Sequence, residues 1–373
     1  MRGHAQAAME LAAELYHAHP DDPEILTATV QTALEFGDTE SAARWLDQAA
    51  DQSTEAVVAG RLAVADELLF ERHQPADAEI QYRRVLAVRS HNSHALNHLA
   101  WLLGVSGRSE ESNRQILRLF DAGDFEFIHP VVLCLDHDRI RDSDIVRSWE
   151  AASPSDPATL LAKAALLQAA GDAANAIPFV RRACILRPDW PDAAARCGEL
   201  LVHLGDNSEI RPWIQSVSSD LKTSPRVLAV LGQAHLHVGQ QTDAARCLLQ
   251  SLNKDSTQRD ALYLLGRTLV QLGEKDNAQR LLQRAADIEE YERTVRTAWN
   301  TQSVAAIRQA AESAEKLELI PEASAWKRIL ADHSQHAASQ ESVAGVATEK
   351  ALPSRRSADV RGYFAVDPDL AIS

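Results

Sequence analysis

His91, His94 and His98 follow one another at steps of three and four residues, the spacing at which two imidazoles on one helix can reach a common metal ion. Only two of the three can point the same way. No carboxylate or cysteine within the same helix completes the set, so the sequence predicts no metal site. Asp136, His137 and Asp138 bring acidic and basic groups together, but no nucleophile pattern lies beside them and they read as a solvated loop. Cys134, Cys184, Cys197 and Cys247 have no short paired spacing; they are expected to be small core residues, not a zinc cage or a disulfide framework. The sequence holds no phosphate-cradling glycine loop, nucleophile elbow or cofactor fingerprint. The reading is of a chain that is no enzyme and uses no cofactor.

Another set of residues suits recognition. Arg196 and His203, then Arg226, Gln233 and His237, then Tyr263, Arg267 and Gln271 gather donors and an aromatic ring in a chain whose net charge is −15. Arginine grips a carboxylate with two hydrogen bonds, so these eight residues are the candidate partner-binding site, for an acidic segment or a C-terminal carboxylate. Upstream, Glu24, Gln31, Glu35, Glu67 and Glu71 form an acidic wing, followed by His94, Asn97, His98 and Trp101. A surface so negative repels nucleic acid and anionic membranes, and neither is expected as a partner.

What must position these residues is a repeat. Gly171, Gly205, Gly239 and Gly273 are spaced 34 residues apart, and Gly198, Gly232 and Gly266 keep the same interval, as do Pro157, Pro191 and Pro225. Between Pro191 and Leu204, Ala194, Cys197, Leu200, Leu201 and Leu204 fall on one helix face; Gly205 and Asp206 then supply a stop and a turn. Small residues such as Gly232 and Ala244 let two helices approach closely, and proline suits a helix's first turn. Each hairpin is too small to bury its own apolar face and must stack on its neighbours.

Gly198, Leu201 and Gly205, then Gly232, Gly239, Ala244 and Leu248, then Gly266, Leu269, Gly273, Ala278, Leu282 and Ala285 make the chain resemble the tetratricopeptide repeat (TPR) family. Leu160, Leu228 and Leu262 stand where that family has an aromatic residue. The resemblance implies an all-α, right-handed superhelical solenoid of antiparallel helix pairs, holding a peptide or protein on a concave face lined by the first helix of each pair. It implies binding and not catalysis. The lysine and paired-asparagine pattern of the family's chaperone-tail clamp is not present.

In order along the chain, residues 1–126 are expected to hold a half repeat and three full ones. Gly3 occupies the mid-hairpin position, so the chain starts halfway through a unit, exposing Leu11 and Leu15 to self-association or marking an upstream truncation. Residues 127–156 read as a degenerate repeat, with helices near 130–135 and 144–152. Residues 157–337 hold regular repeats and a terminal unit, the last first-helix restarting near Gln302 after a polar stretch from Glu292 to Thr301. Residues 338–373 read as a disordered tail, whose Arg355, Arg356, Arg361, Tyr363 and Phe364 suit the acidic wing as an intramolecular plug.

The expected function is a non-enzymatic protein-binding scaffold. The alternative is the regulatory or docking arm of a larger multidomain protein, an enzyme or a β-propeller fusion, of which this is a fragment. With no signal-peptide pattern and no run of eighteen apolar residues, the chain as given reads as cytoplasmic, a reading that lapses if the N-terminus is truncated.

Overall fold

A computed structural model describes residues 2–135 and 143–344, which form helices and turns with no strand among them. Helix α1 (Arg2–Ala18) stands alone at the start, then α2 (Pro23–Glu35) pairs with α3 (Thr39–Gln48), α4 (Glu55–Asp66) with α5 (Pro75–Val88), and α6 (Ser93–Val105) with α7 (Ser109–Ala122). The short α8 (Ile128–Cys134) and α9 (Ser143–Ala152) interrupt the series. Pairing resumes with α10 (Pro157–Ala169) and α11 (Ala173–Leu186), α12 (Pro191–Leu204) and α13 (Asn207–Ser216), α14 (Pro225–His237) and α15 (Gln241–Lys254), and α16 (Arg259–Gln271) and α17 (Lys275–Thr301). Helices α18 (Val304–Lys316) and α19 (Ile320–Ala344) close the described chain. This is the all-α stack of antiparallel helix pairs that the period implies.

Local chemistry sets each boundary. Asp22, Asp156 and Ser224 cap α2, α10 and α14 by accepting from backbone N–H groups of the first turn, and a proline occupies the start of each of these helices. Gly205 ends α12 at φ +73°, a left-handed backbone that a side chain would strain. Inside the hairpins the small residues are steric requirements. A Cβ on Gly232 would lie 2.5 Å from Leu248 Cγ, and one on Gly266 would lie 2.8 Å from Leu282 Cγ.

Three apolar clusters run along the stack, one from Ala12 to Ala162, one from Ala158 to Ala234, and one that joins Val131 of α8 to residues 248–329. The last is the departure from a simple solenoid. Helix α8 keeps Ile128 and Val132 in the first cluster and contact with α7, yet also packs on α17 and α19, with Phe127 stacked on Trp299 and edge-on to Trp326. Helix α9 returns to the first cluster, where Trp149 meets Trp101 edge to face.

Two helices run further than the sequence reading drew them. The polar stretch Glu292–Thr301 is helical: α17 continues through it, because Tyr291, Val295 and Ala298 recur at helical steps and are buried in the third cluster, and α18 then starts at Val304, beside the restart expected near Gln302. Helix α19 likewise runs on to Ala344, through a sequence rich in good helix formers, past the tail boundary expected at 338. At the other end α1 leaves Leu11 57% and Leu15 45% exposed. The loop Asp136–His137–Asp138 and the tail arginines lie outside the described residues. Among the described residues no helix is long and apolar enough to cross a membrane.

Candidate functional site

The face formed by the first helices divides into a stretch open to solvent and a stretch closed by the chain itself. The open stretch lies between α2 and α4, where Glu24, Thr27 and Gln31 on one helix face Glu55 on the other over a floor of Ala28, Ala56 and Ala59. Glu24, Thr27, Gln31 and Glu55 are all exposed. Alanines leave room for a partner's side chains, and the rim carboxylates give the depression its negative sign.

Next along this face is a cluster that the sequence reading missed. His94 Nε2 lies 3.0 and 2.9 Å from the two oxygens of Asp66, and His98 Nδ1 lies 3.0 Å from Asp66 Oδ1. Tyr82 donates its hydroxyl to Asp66 Oδ1 at 2.6 Å. The carboxylate that α6 lacks thus comes from the end of α4, 28 residues before His94, where no local spacing rule looks. Burial works against the Asp66 charge, but the hydrogen bonds from His94, His98 and Tyr82 prevail and hold its carboxyl below the usual range.

The closed stretch begins at the turn between α6 and α7. Arg108 is buried and bonded to Glu79 at 2.5 Å and Glu111 at 2.6 Å, while its guanidinium stacks 3.9 Å from the ring of Trp190, just before α12. Burial opposes the Arg108 charge, and the two glutamates outweigh it and keep it protonated. Ser224, the cap of α14, donates to Glu110 at 2.5 Å across 114 residues. At its far end α7 offers the Gly123 carbonyl to Arg328 of α19. The crossing is locked by His129 of α8: its Nδ1 accepts from the Glu126 N–H at 2.8 Å, and its Nε2 is 2.9 Å from Asn97 Oδ1 on α6. Burial depresses the His129 pKa to about 4, so the ring is neutral at pH 7.

This closure decides where the eight predicted binding residues fall. Arg196 is 1% exposed, bonded to Gln168, with its guanidinium laid over the Gly107 turn. Arg226 is bonded to Asp192, Glu199, Ser109 and the Gly107 carbonyl. The sequence reading expected both on an open surface; instead Arg196 is buried and Arg226 half-buried, with their donors held by acceptors of the same chain. Burial pushes Asp192 up to about 6 against the pull of Arg226. The other six lie at or near the surface. His203, His237 and Gln271 repeat at the last turn of α12, α14 and α16, and all three are exposed. Gln233 is half-buried; Tyr263 is 49% exposed, with the Arg267 guanidinium 5.7 Å from its ring. Gln271 accepts from Gln241 at 3.2 Å. The four cysteines are free thiols, and burial pushes Cys184 up to about 12, which leaves it inert at neutral pH.

No protein-family model matches the sequence, and no curated protein matches it. Solved structures do. MamA from Desulfovibrio magneticus is 18% identical, with 48% of this chain and 94% of that one covered at a TM-score of 0.34. A tetratricopeptide repeat protein from Parabacteroides merdae is 15% identical, covering 66% of this chain and 98% of its own at a TM-score of 0.33. Human IFIT1, solved as a dimer with PPP-AAAA, is 14% identical over 87% of this chain and 94% of its own, at a TM-score of 0.39. The chain is similar to tetratricopeptide repeat proteins. The helical-pair architecture itself stands on the caps, turns and glycine contacts described above.

Proposed function

We propose that the chain is a non-enzymatic scaffold that holds a protein or peptide partner on its first-helix face, and that the open groove between α2 and α4 receives a basic segment of that partner. The observation that carries this reading is the pairing of an alanine floor with a rim of exposed carboxylates from Glu24 and Glu55. An arginine or lysine of an extended segment would meet a carboxylate at the rim while its neighbours pack on Ala28, Ala56 and Ala59.

A second reading is favoured by the exposed Tyr263 and Arg267 with the ridge of His203, His237 and Gln271. This surface would take an acidic segment or a terminal carboxylate, now with Arg267 as its only exposed arginine of the three named. Affinity capture from native lysate distinguishes the two, using the full chain beside a Glu24→Lys, Glu55→Lys variant and an Arg267→Glu variant. A partner lost from the first variant and kept by the second supports the groove. The reverse pattern supports the carboxylate surface, and a partner kept by both variants rules out both.

A further inference from the structure

The geometry points to a divalent metal site, of zinc type, built from Asp66, His94 and His98. Three helices contribute to it. Helix α6 supplies two imidazoles one turn apart, whose ring centroids lie 4.2 Å from each other. Helix α4 ends on Asp66, and α5 supplies Tyr82 behind it. One atom from each of Asp66, His94 and His98 falls within 4.8 Å of the others.

The donor set is two nitrogens and one oxygen, which suits zinc with the fourth position left to water. Four-coordinate zinc, with bonds of about 2.0–2.1 Å, places neighbouring ligand atoms about 3.3 Å apart. Here the nitrogen-to-carboxylate separations are 2.9 to 3.0 Å, so those spacings need open by only a few tenths of an ångström, and the two nitrogens lie within 4.8 Å of each other. The cluster is also held from behind. The His98 ring is edge-on to Phe70 at 5.3 Å and to Tyr82 at 5.8 Å, and Tyr82 bonds the same carboxylate oxygen that faces His98. The Tyr82 hydrogen bond is the outer-shell support that ligating carboxylates have in metal sites. Exposure grades across the three side chains, 14% for His98, 32% for Asp66 and 43% for His94, giving a buried base and an open mouth for an ion to enter.

The backbone at Asp66 adds an independent sign. Directly after it, Glu67–Glu71 forms a π-helical turn, the only one among the described residues. Single π turns inside helices are costly local irregularities that occur frequently at functional sites. This one contains Phe70, so the irregular turn supplies one of the two rings that support His98. The chain's net charge of −15 favours cation approach. The site joins the second hairpin to the third, and a bound ion would tie the two together.

Isothermal titration of zinc chloride into the untagged full chain, stripped with chelator and desalted, tests this. One ion per chain is expected at micromolar affinity or tighter, with a rise in thermal midpoint when zinc is present. Cobalt(II) in the same site should give the intense visible bands of a tetrahedral complex. Asp66→Asn and His94→Ala should each weaken zinc at least tenfold, while His91→Ala, which leaves the cluster intact, should not. If Asp66→Asn disturbs folding through Tyr82, the half-exposed His94→Ala carries the test. Absence of zinc binding, or equal affinity in the wild type and His94→Ala, overturns the site and leaves a hydrogen-bonded cluster.

Discussion

Glu24 on α2, Asp192 on α12 and Arg226 on α14 each hold the second position of their helix, directly after a proline. Glu24 stands in solvent, whereas Asp192 is 1% exposed and Arg226 is bonded to four partners. The repeat sets which way a side chain points, but not what it meets. The groove between α2 and α4 is lined by residues of those two helices alone, whereas on α12 and α14 residues 107–111 of the same chain lie across the face. One structural column therefore stays open to solvent in one region and forms an internal seam in the other.

Charge reversal is the sharpest way to break this comparison. Arg226→Glu removes the pairs with Asp192 and Glu199 and adds a third carboxylate beside them, at a side chain only 16% exposed. Breaking a buried pair costs about 3–5 kcal/mol. Arg267→Glu and Glu24→Lys lie on exposed helix faces and should change stability by no more than about 0.5 kcal/mol. Urea unfolding of the three variants measures the difference directly, and a similar cost for Arg226→Glu and Arg267→Glu would collapse the distinction between seam and surface.

Acid should loosen the crossing before it touches the open groove. Burial lowers the pKa of His129 from 6.5 to about 4, so between those values the unfolded chain binds the proton and the folded one does not. Stability from this group is complete above pH 6.5 and is lost as pH falls toward 4, roughly 3 kcal/mol in all. Glutamine at this position can still accept from Glu126 and donate to Asn97 without titrating. Thermal unfolding from pH 7 to 5 should therefore be flatter in His129→Gln than in the wild type; identical slopes would remove His129 as the acid-sensitive lock.

The hairpin interiors, by contrast, should respond alike in both regions. A Cβ on Gly60 of α4 would lie 2.8 Å from Leu46 Cδ2, and one on Gly232 of α14 would lie 2.5 Å from Leu248 Cγ. Each Gly→Ala should cost about 1–3 kcal/mol by overpacking, measured by the same urea titrations. A large cost at one site and none at the other would mean that the two regions differ in their packing as well as in their exposed faces.

The contrast also shows what the sequence could reveal. Caps, turns and glycine contacts are local or lie one repeat away, so Gly205, Gly232 and Pro191 disclose the helix pairs by period alone. The seam depends on residues such as Arg108, whose contact with Trp190 spans 82 positions and follows no period. Arg196 and Arg226 have the composition of a binding surface, and only the crossing of residues 107–111 shows that their partners are internal. His94 and His98 were visible as a pair, but Asp66 belongs to the preceding hairpin, and nothing in the spacing links them. The length of helix α17 was hidden for a different reason: its polar stretch carries only Val295 and Ala298, two small apolar anchors sufficient for one buried stripe.

The smallest effect on stability should accompany the largest effect on binding. Among the described residues Glu24 and Glu55 make no ion pair, and each sits in the first turn of its helix, where a carboxylate gains only tenths of a kcal/mol from the helix dipole. Replacing both by lysine changes net charge from −15 to −11, since each substitution removes one negative charge and adds one positive. The fold should tolerate this with a loss below about 1 kcal/mol. A basic partner held at the rim should then be repelled, and the binding that remains in the wild type should weaken as salt rises, because exposed charge pairs are screened within about 10 Å at 0.1 M. Fluorescence anisotropy of a labelled arginine-rich peptide, run at low and high salt on both proteins, measures this. Salt-independent binding that survives the double substitution would move recognition away from the groove between α2 and α4, to the surface around Tyr263 and Arg267.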